Sequence, residues 1–318
     1  MSTSPTIDRT RRRAMKAVAA GMLGAPWWSA FGAAGDADAT RRGELLKRAI
    51  PATGELLPVI GLGTARAFDV GSDDSQRAGL RGVVEALASV EQAMIDTSPM
   101  YGRAETVVGD LVAGLGLDSR FFLATKVWTT GRDAGIAQMN ESFERLRTGR
   151  IDLMQIHNLL DWRVHLPVLR EWRDAGRIRH VGVTHYHEGA HDDIAAVIAA
   201  EAFDFLQINY SLAEPEAGDR LLALAADRGT AVIVNRPFGR GELFRATRGK
   251  ALPAWAADYG AQSWAQLFLK WVIAHPAVTV AIPGTGKPAH MLDNLGAAYG
   301  PLPDAAGRGR IARLVADL

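Results

Sequence analysis

Three stretches, Ala93-Met94-Ile95-Asp96, Phe121-Phe122-Leu123-Ala124-Thr125-Lys126 and Leu153-Met154-Gln155-Ile156-His157, share one form: an apolar run that ends in an ionisable residue. None alternates strictly between polar and apolar, so both faces are expected to be buried, as in a parallel sheet covered by helices. The same kind of run recurs at Val59–Gly63, His180–Thr184, Phe205–Asn209, Ala231–Asn235 and Val278–Ile282. Between the runs, apolar residues fall at helical spacing: Val107, Val108, Leu111 and Val112 within 104–115, Leu221, Leu222, Leu224 and Ala225 within 216–228, and Leu267, Phe268, Trp271 and Val272 within 261–274. Eight such runs with helical stretches between them, over about 260 residues, predict an α/β fold of the (β/α)8 TIM barrel type. An open doubly wound sheet is the alternative, and it ordinarily has fewer strands or a second domain. Ahead of the first run, Leu45-Leu46 and Leu56-Leu57 flank Ala52-Thr53-Gly54, the pattern of an N-terminal β-hairpin cap on the barrel's N-terminal end. After the seventh run, residues 239–253 form a long irregular stretch, of a length that is usually functional or mobile.

The 318 residues suit one large α/β domain or two average ones, and the 48% hydrophobic content with 22% charged residues excludes a disordered or multi-span membrane chain. The absence of cysteine excludes disulfides, thiolate-bound zinc, iron–sulfur clusters and a thiol nucleophile. A net charge of +1 conceals an asymmetry. Residues 1–34 carry Arg9, Arg11, Arg12, Arg13 and Lys16 against Asp8 alone, which leaves 31 basic and 34 acidic residues in the remainder. A body with that balance has no excess positive field for a polyanion, so nucleic-acid binding is not expected.

The front end has the form of an address. Arg11-Arg12-Arg13-Ala14-Met15-Lys16 precedes nineteen uncharged residues, Ala17 to Gly35, with small residues at Gly32-Ala33-Ala34. The segment resembles a twin-arginine export signal, whose weakly apolar stretch follows paired arginines. The expected organisation is therefore an export signal at 1–34 and a barrel at 45–318, with periplasmic or otherwise exported delivery through the export machinery. A cytoplasmic protein with a short amphipathic tail is the alternative.

Chemistry in a barrel belongs at the C-terminal ends of the strands. Three consecutive runs deliver Asp96, Lys126 and His157 to that rim, and Tyr101 follows in Asp96-Thr-Ser-Pro-Met-Tyr-Gly102. Singly these are a turn cap, a solvated strand end and a satisfied core histidine. Together they compose a candidate catalytic site. A free tyrosine has a pKa of about 10, and a neighbouring ammonium favours the phenolate. Asp96 would hold Lys126 in place and charged, and His157 would orient a substrate oxygen. Such a set can polarise a carbonyl and protonate the alkoxide formed when a hydride arrives, but it cannot supply the hydride, so a cofactor is required. His185-Tyr186-His187 with His191 offers no carboxylate at clear ligand spacing, and no metal is expected. Trp264 and Trp271 fit helix packing, whereas Trp128 fits packing and an apolar substrate pocket equally well.

Over residues 45–300 the sequence resembles the aldo-keto reductases. The resemblance rests on Gly61-Leu-Gly-Thr64, Asp96 to Gly102, Ala124-Thr-Lys126, Ile151-Asp-Leu-Met-Gln-Ile-His-Asn158, Gly176-Arg-Ile-Arg-His-Val-Gly-Val183 and Ile282-Pro-Gly-Thr285, in that order. It implies an NAD(P)H-dependent oxidoreductase acting on a small-molecule carbonyl or alcohol, with Asp96, Tyr101, Lys126 and His157 as the catalytic tetrad and Tyr101 as its acid/base. It also implies cofactor contacts along the rim, beginning at Gly63 and Thr64. Asn158, Thr184, His185 and Gln207 would lie near the nicotinamide carboxamide. Arg236, Pro237, Phe238, Gly239 and Gly241 would approach the pyrophosphate, and Gly284, Thr285, Lys287, His290 and Asn294 would surround the adenosine. The family more often takes NADP than NAD, so NADP is expected here, with NAD as the alternative because Gly284 and His290 stand where many members carry Lys and Arg. His185 replaces a usual Asn, Asn235 an aromatic residue, and Arg236 a small one. A nucleotide-binding sensor or regulatory subunit with little turnover is the alternative on the same fold.

Replacing Arg11-Arg12 with Lys-Lys is expected to abolish extracytoplasmic delivery, followed by cell fractionation; unchanged delivery would reject the twin-arginine reading.

Overall fold

The computed structural model describes residues 43–318, and the expected signal at 1–34 lies outside the described residues. The chain enters through a two-stranded antiparallel hairpin, β1 (Lys47–Ala49) and β2 (Leu56–Pro58). Eight parallel strands follow in sequence order around a barrel: β3 (Leu62–Gly63), β4 (Met94–Asp96), β5 (Phe122–Val127), β6 (Ile151–His157), β7 (Ile178–Thr184), β8 (Phe205–Asn209), β9 (Ala231–Asn235) and β10 (Val278–Ala281). Single bridges, Ile60 to Ala281 and Gly63 to Gly284, join the first barrel strand to the last. Gly61 N–H donates to the Ala281 carbonyl and Ala281 N–H to the Val59 carbonyl, so residues 59–61 run beside β10 although only 62–63 form a ladder with β4. A side chain cannot fit at this seam. A Cβ on Gly61 would stand 2.7 Å from the Met94 carbonyl oxygen, and one on Gly63 2.8 Å from that of Ile282.

The connecting helices are α1 (Asp74–Leu87), α2 (Ala104–Gly114), α3 (Arg132–Leu146), α4 (Trp162–Asp174), α5 (His191–Ala200), α6 (Leu221–Asp227), α7 (Glu242–Ala246), α8 (Trp264–Ile273), α9 (Pro288–Gly296) and a terminal α10 (Ala305–Ala316). Their apolar stripes and the outward residues of the strands form one continuous core, including Val84, Val108, Ile156, Val183, Leu206, Val234 and Val272. The inward residues form a second, smaller cluster of Met94, Phe122, Ala124, Leu153, Phe205, Ala231, Ile233, Val280 and Ile282, joined by Ile50 and Leu57 of the hairpin. Two side-chain layers on one sheet explain why the runs lack alternation: nearly every position is buried, half toward helices and half toward the axis.

Several expected boundaries move. The ladders at β6 and β7 begin two residues earlier than the apolar runs suggested, at Ile151 and Ile178. The helix expected over 216–228 divides into a single turn at Glu216–Gly218 and α6, with Arg220 at non-helical angles between them. Residues 239–253, expected to be irregular throughout, contain a turn at Gly239–Gly241 and α7, because Leu243 finds a buried site beneath it. Trp264 and Trp271 serve packing as expected, stacked on Phe268 and Tyr210 at 5.6 and 4.9 Å.

Arg48 holds the hairpin to the N-terminal end of the barrel. Its guanidinium donates to the carbonyls of Ile273, His275 and Val278 at 2.7 Å and of Pro276 at 2.8 Å, all at the approach to β10. Arg48→Ala is expected to leave the helical circular dichroism unchanged and to lower unfolding stability by about 2–3 kcal/mol, the scale of charge-assisted hydrogen bonds left without their donor, measured by urea titration.

Candidate active site

The parallel register lifts one polar residue from each of several strands to the same level of the barrel. Asp96 pairs with Ala124, Lys126 with Gln155, His157 with Thr184, and Thr184 with Gln207. Along β6 the inward positions are Leu153, Gln155 and His157, so the interior changes from apolar to polar within one strand. Gly182 of β7 leaves the room that Gln155 occupies: a Cβ there would stand 3.0 Å from the glutamine Cγ.

Asp96 is the hub. Its Oδ2 accepts from Lys126 Nζ at 2.7 Å, and its Oδ1 accepts from Gln155 Nε2 at 3.0 Å and Gln207 Nε2 at 2.7 Å. Lys126 also donates to the Thr97 carbonyl at 2.7 Å and is wholly enclosed. Burial alone would lower the lysine pKa, but Asp96 and Tyr101 outweigh it and the net shift is upward. Lys126 therefore stays charged, as expected, with Nζ 4.9 Å from the centre of the Tyr101 ring. The Lys126 charge lowers the Tyr101 pKa, as expected, but burial outweighs it. Asp96 adds to the rise, so the phenol is held in its protonated form.

His157 stands edge-on to Tyr101, ring centres 5.9 Å apart. Burial, then the charges of Lys126 and His185, push its pKa down to about 2, which makes it a neutral imidazole at working pH. Its Nδ1 lies 3.1 Å from Ser98 Oγ, a partner that the sequence motif contained but did not single out. Gln155 was likewise unmarked, although its place two residues before His157 put it on the same face. Trp128 is 39% exposed at the rim, its ring centre 6.4 Å from that of His157.

The residues expected to meet a cofactor fall into three neighbouring groups. On the first, Asn158 carries a buried Oδ1 with no partner, and so does Asn235. Thr184 donates to Gln207 Oε1 at 3.1 Å, which leaves both ends of the Gln207 amide bound to protein. His185 Nδ1 accepts from the Tyr186 amide, its ring against His187, while His191 Nε2 lies 3.2 Å from Asn209 Oδ1. On the second, Arg236 has a left-handed φ of 53° and lays its guanidinium 4.4 Å over Tyr186. Pro237 is buried, Phe238 packs on Phe244, and Gly239 and Gly241 take φ of 54° and 86° in the turn that follows. On the third, Gly284 bridges Gly63, Thr285 Oγ1 accepts from the Lys287 amide at 3.1 Å, Lys287 and His290 are exposed, and Asn294 keeps a buried, unpartnered Nδ2. Thr64 donates through both its amide and its hydroxyl to the Asp96 carbonyl, and so fixes the strand end that carries the hub.

A nearly closed parallel barrel that gathers Asp96, Tyr101, Lys126 and His157 at its C-terminal rim defines the class by its fold and by that set of side chains. Comparison with known proteins identifies it further. Residues 59–306 match the aldo/keto reductase family, and the chain belongs to that family. It is similar to methylglyoxal reductase YeaE of Escherichia coli, 28% identical over 245 residues that cover 75% of this chain and 84% of the relative. It is also similar to aldo-keto reductase YhdN of Bacillus subtilis, at 26% identity over 62% and 72% of the two chains. Among solved structures, an aldo/keto reductase of Klebsiella pneumoniae in complex with NADP and acetate superposes with a TM-score of 0.68 at 25% identity, covering 82% of this chain and 93% of that one. Aldo-keto reductase AKR11C1 of Bacillus halodurans shares the fold with a TM-score of 0.68 at 20% identity, over 85% and 96% of the chains. The protein is thus an NAD(P)-dependent oxidoreductase.

One buried histidine and two half-buried ones are held neutral in this fold and oppose acid. His157 is held at about 2, and His185 and His275 at about 4, against about 6.5 for an unfolded histidine. Below 6.5 the unfolded chain takes up protons that the native state refuses, so stability falls with falling pH. The thermal midpoint is expected to drop between pH 6.5 and 4, and His157→Gln is expected to flatten that dependence in a series of melts.

Proposed function

We propose that the protein reduces a small-molecule carbonyl with NADP(H), and that Tyr101 delivers the proton to the carbonyl oxygen. The observation that carries this reading is the enclosed Asp96–Lys126 pair next to a partly buried, protonated Tyr101, beside a neutral His157. Support for the cofactor comes from the Klebsiella neighbour bound to NADP. It comes also from unpartnered buried amide atoms on Asn158, Asn235 and Asn294, which offer acceptors at one end of the rim and a donor at the other, as a ligand with carboxamide and adenine groups requires. Asn158 with Thr184 and His185 would hold the nicotinamide end, the segment Arg236–Gly241 the pyrophosphate, and Thr285, Lys287, His290 and Asn294 the adenosine end. When bound, the dihydronicotinamide supplies the hydride.

The protein's own groups do the rest. His157 hydrogen-bonds the carbonyl oxygen and draws electron density from the carbonyl carbon. Tyr101 gives its phenolic proton to the oxygen as negative charge develops there. Lys126 stabilises the phenolate left behind, and Asp96, fixed by Gln155 and Gln207, keeps the ammonium aimed at the ring. Trp128 and Met100, both exposed beside this centre, provide an apolar wall for the substrate. The names of the similar enzymes favour reduction of small aldehydes and ketones such as methylglyoxal. Export through the twin-arginine route, with cofactor already in place, remains part of the proposal and rests on Arg11-Arg12 and the uncharged stretch after them.

Tyr101→Phe is expected to lower kcat for carbonyl reduction by about 10²- to 10⁴-fold, the usual contribution of a positioned acid, with NADPH affinity by fluorescence titration unchanged. Full turnover in this variant would overturn the assignment; tight binding without turnover in the wild type would point instead to a sensor.

A further inference from the structure

We infer that Ser98 fixes which nitrogen of His157 carries the proton, and thereby makes the imidazole a hydrogen-bond donor to the substrate; Ser98 is a positioning residue, and its role rests on the function proposed above. Ser98 is completely enclosed. Its Oγ accepts a hydrogen bond from the Met100 amide at 3.2 Å, inside the tight turn that leads from Asp96 to Tyr101. The hydroxyl then has one hydrogen to place. Among the described residues its only partner besides that amide is His157 Nδ1, at 3.1 Å. The reverse arrangement, with Nδ1–H donating to Oγ, would leave a buried hydroxyl hydrogen with no acceptor at all. The balance of donors and acceptors therefore places the hydrogen of Ser98 on the Nδ1 lone pair. A neutral imidazole whose Nδ1 accepts must carry its proton on Nε2.

Among the described residues no other hydrogen bond reaches the ring, while the charges of Lys126 and His185 act on it as a whole and oppose a second proton. Tyr101 meets it edge-on, Trp128 stands 6.4 Å away at a tilt, and Nε2 has no protein partner among the described residues. The Met100 amide is itself fixed by the turn, whose Tyr101 N–H donates to the Ser98 carbonyl at 3.0 Å. The same four-residue turn thus presents the proton donor Tyr101 and sets the tautomer of its partner. Had Ser98 been alanine, Nδ1 would be a buried acceptor without a donor, and the ring would gain by turning or by moving its proton to Nδ1. Either change would present an acceptor to the carbonyl oxygen in place of a donor.

The test reads the tautomer directly. In protein labelled with ¹⁵N-histidine, long-range nitrogen–proton correlation of the full chain without substrate is expected to show His157 protonated on Nε2 alone, its signal assigned by its loss in His157→Gln. Ser98→Ala is expected to shift that signal toward the Nδ1–H form or an average, to lower kcat about tenfold or more, and to leave the NADPH dissociation constant within about twofold. Ser98→Thr, which keeps the hydroxyl, is expected to restore both the spectrum and kcat. A wild-type signal from Nδ1–H, or a Ser98→Ala protein with unaltered tautomer and kcat, would overturn the inference. The spectrum needs no turnover, so failure of the Tyr101 assignment would be seen separately.

Discussion

One carboxylate organises the interior of this protein. Asp96 closes β4, and its two oxygens collect donors from β5, β6 and β8, through Lys126, Gln155 and Gln207. A buried charge pair contributes little to stability when compared with well-packed apolar groups, yet removing one partner costs about 3–5 kcal/mol because the other is left uncompensated. The arrangement is therefore specific more than it is stabilising. It admits only a register in which those strand ends stand level, and that register is the one that brings Tyr101, Lys126 and His157 together. Below it the interior is apolar and sealed by Ile50 and Leu57 of the hairpin; above it the rim is polar and partly unsatisfied.

Backbone strain follows the same division. Among the described residues, six of the eight non-glycine positions with positive φ, namely Arg66, Asn158, Leu159, Asp161, Arg236 and Arg240, lie in the loops after β3, β6 and β9 on the C-terminal rim. Left-handed backbone costs a residue with a side chain of order 1–3 kcal/mol and persists where the surroundings enforce it. Here the enforcement is visible after β6, where the Asn158 amide donates to the Thr184 carbonyl at 2.8 Å. Arg236 combines strained backbone with a guanidinium whose pKa is lowered, by burial first and then by the nearby charges of Arg240, Glu214 notwithstanding. A cation so placed is suited to an anion, and the segment that bears it is the one proposed above to meet the pyrophosphate.

The barrel was legible in the sequence because burial on both faces suppresses alternation in every strand, and eight such runs at regular intervals leave few other folds. Asp96, Lys126 and His157 stood out because each ended an apolar run. The supporting residues did not. Ser98 and Gln155 are neutral, common residues whose importance comes from what faces them across the barrel, and no local pattern records that. Gln155 was within reach through its alternation with His157; Ser98 was not. The sign of the Tyr101 shift was also beyond sequence reading, since it depends on how far burial outweighs one neighbouring ammonium. The helix within 239–253 escaped notice because five residues carry too little periodicity. Arg48, an ordinary basic residue in sequence, takes its role from four carbonyls more than two hundred residues away.

The enclosure of the Asp96–Lys126 pair has a consequence for the setting in which the protein operates. Mobile ions screen charges that they can surround, with a reach of about 8 Å at physiological ionic strength, but they cannot surround an ammonium with no exposed surface and a carboxylate with almost none. Surface pairs such as Arg132 with Glu171 weaken as salt rises. The enclosed pair does not, so the charges that act on Tyr101 alongside its burial stay the same across dilute and saline surroundings alike.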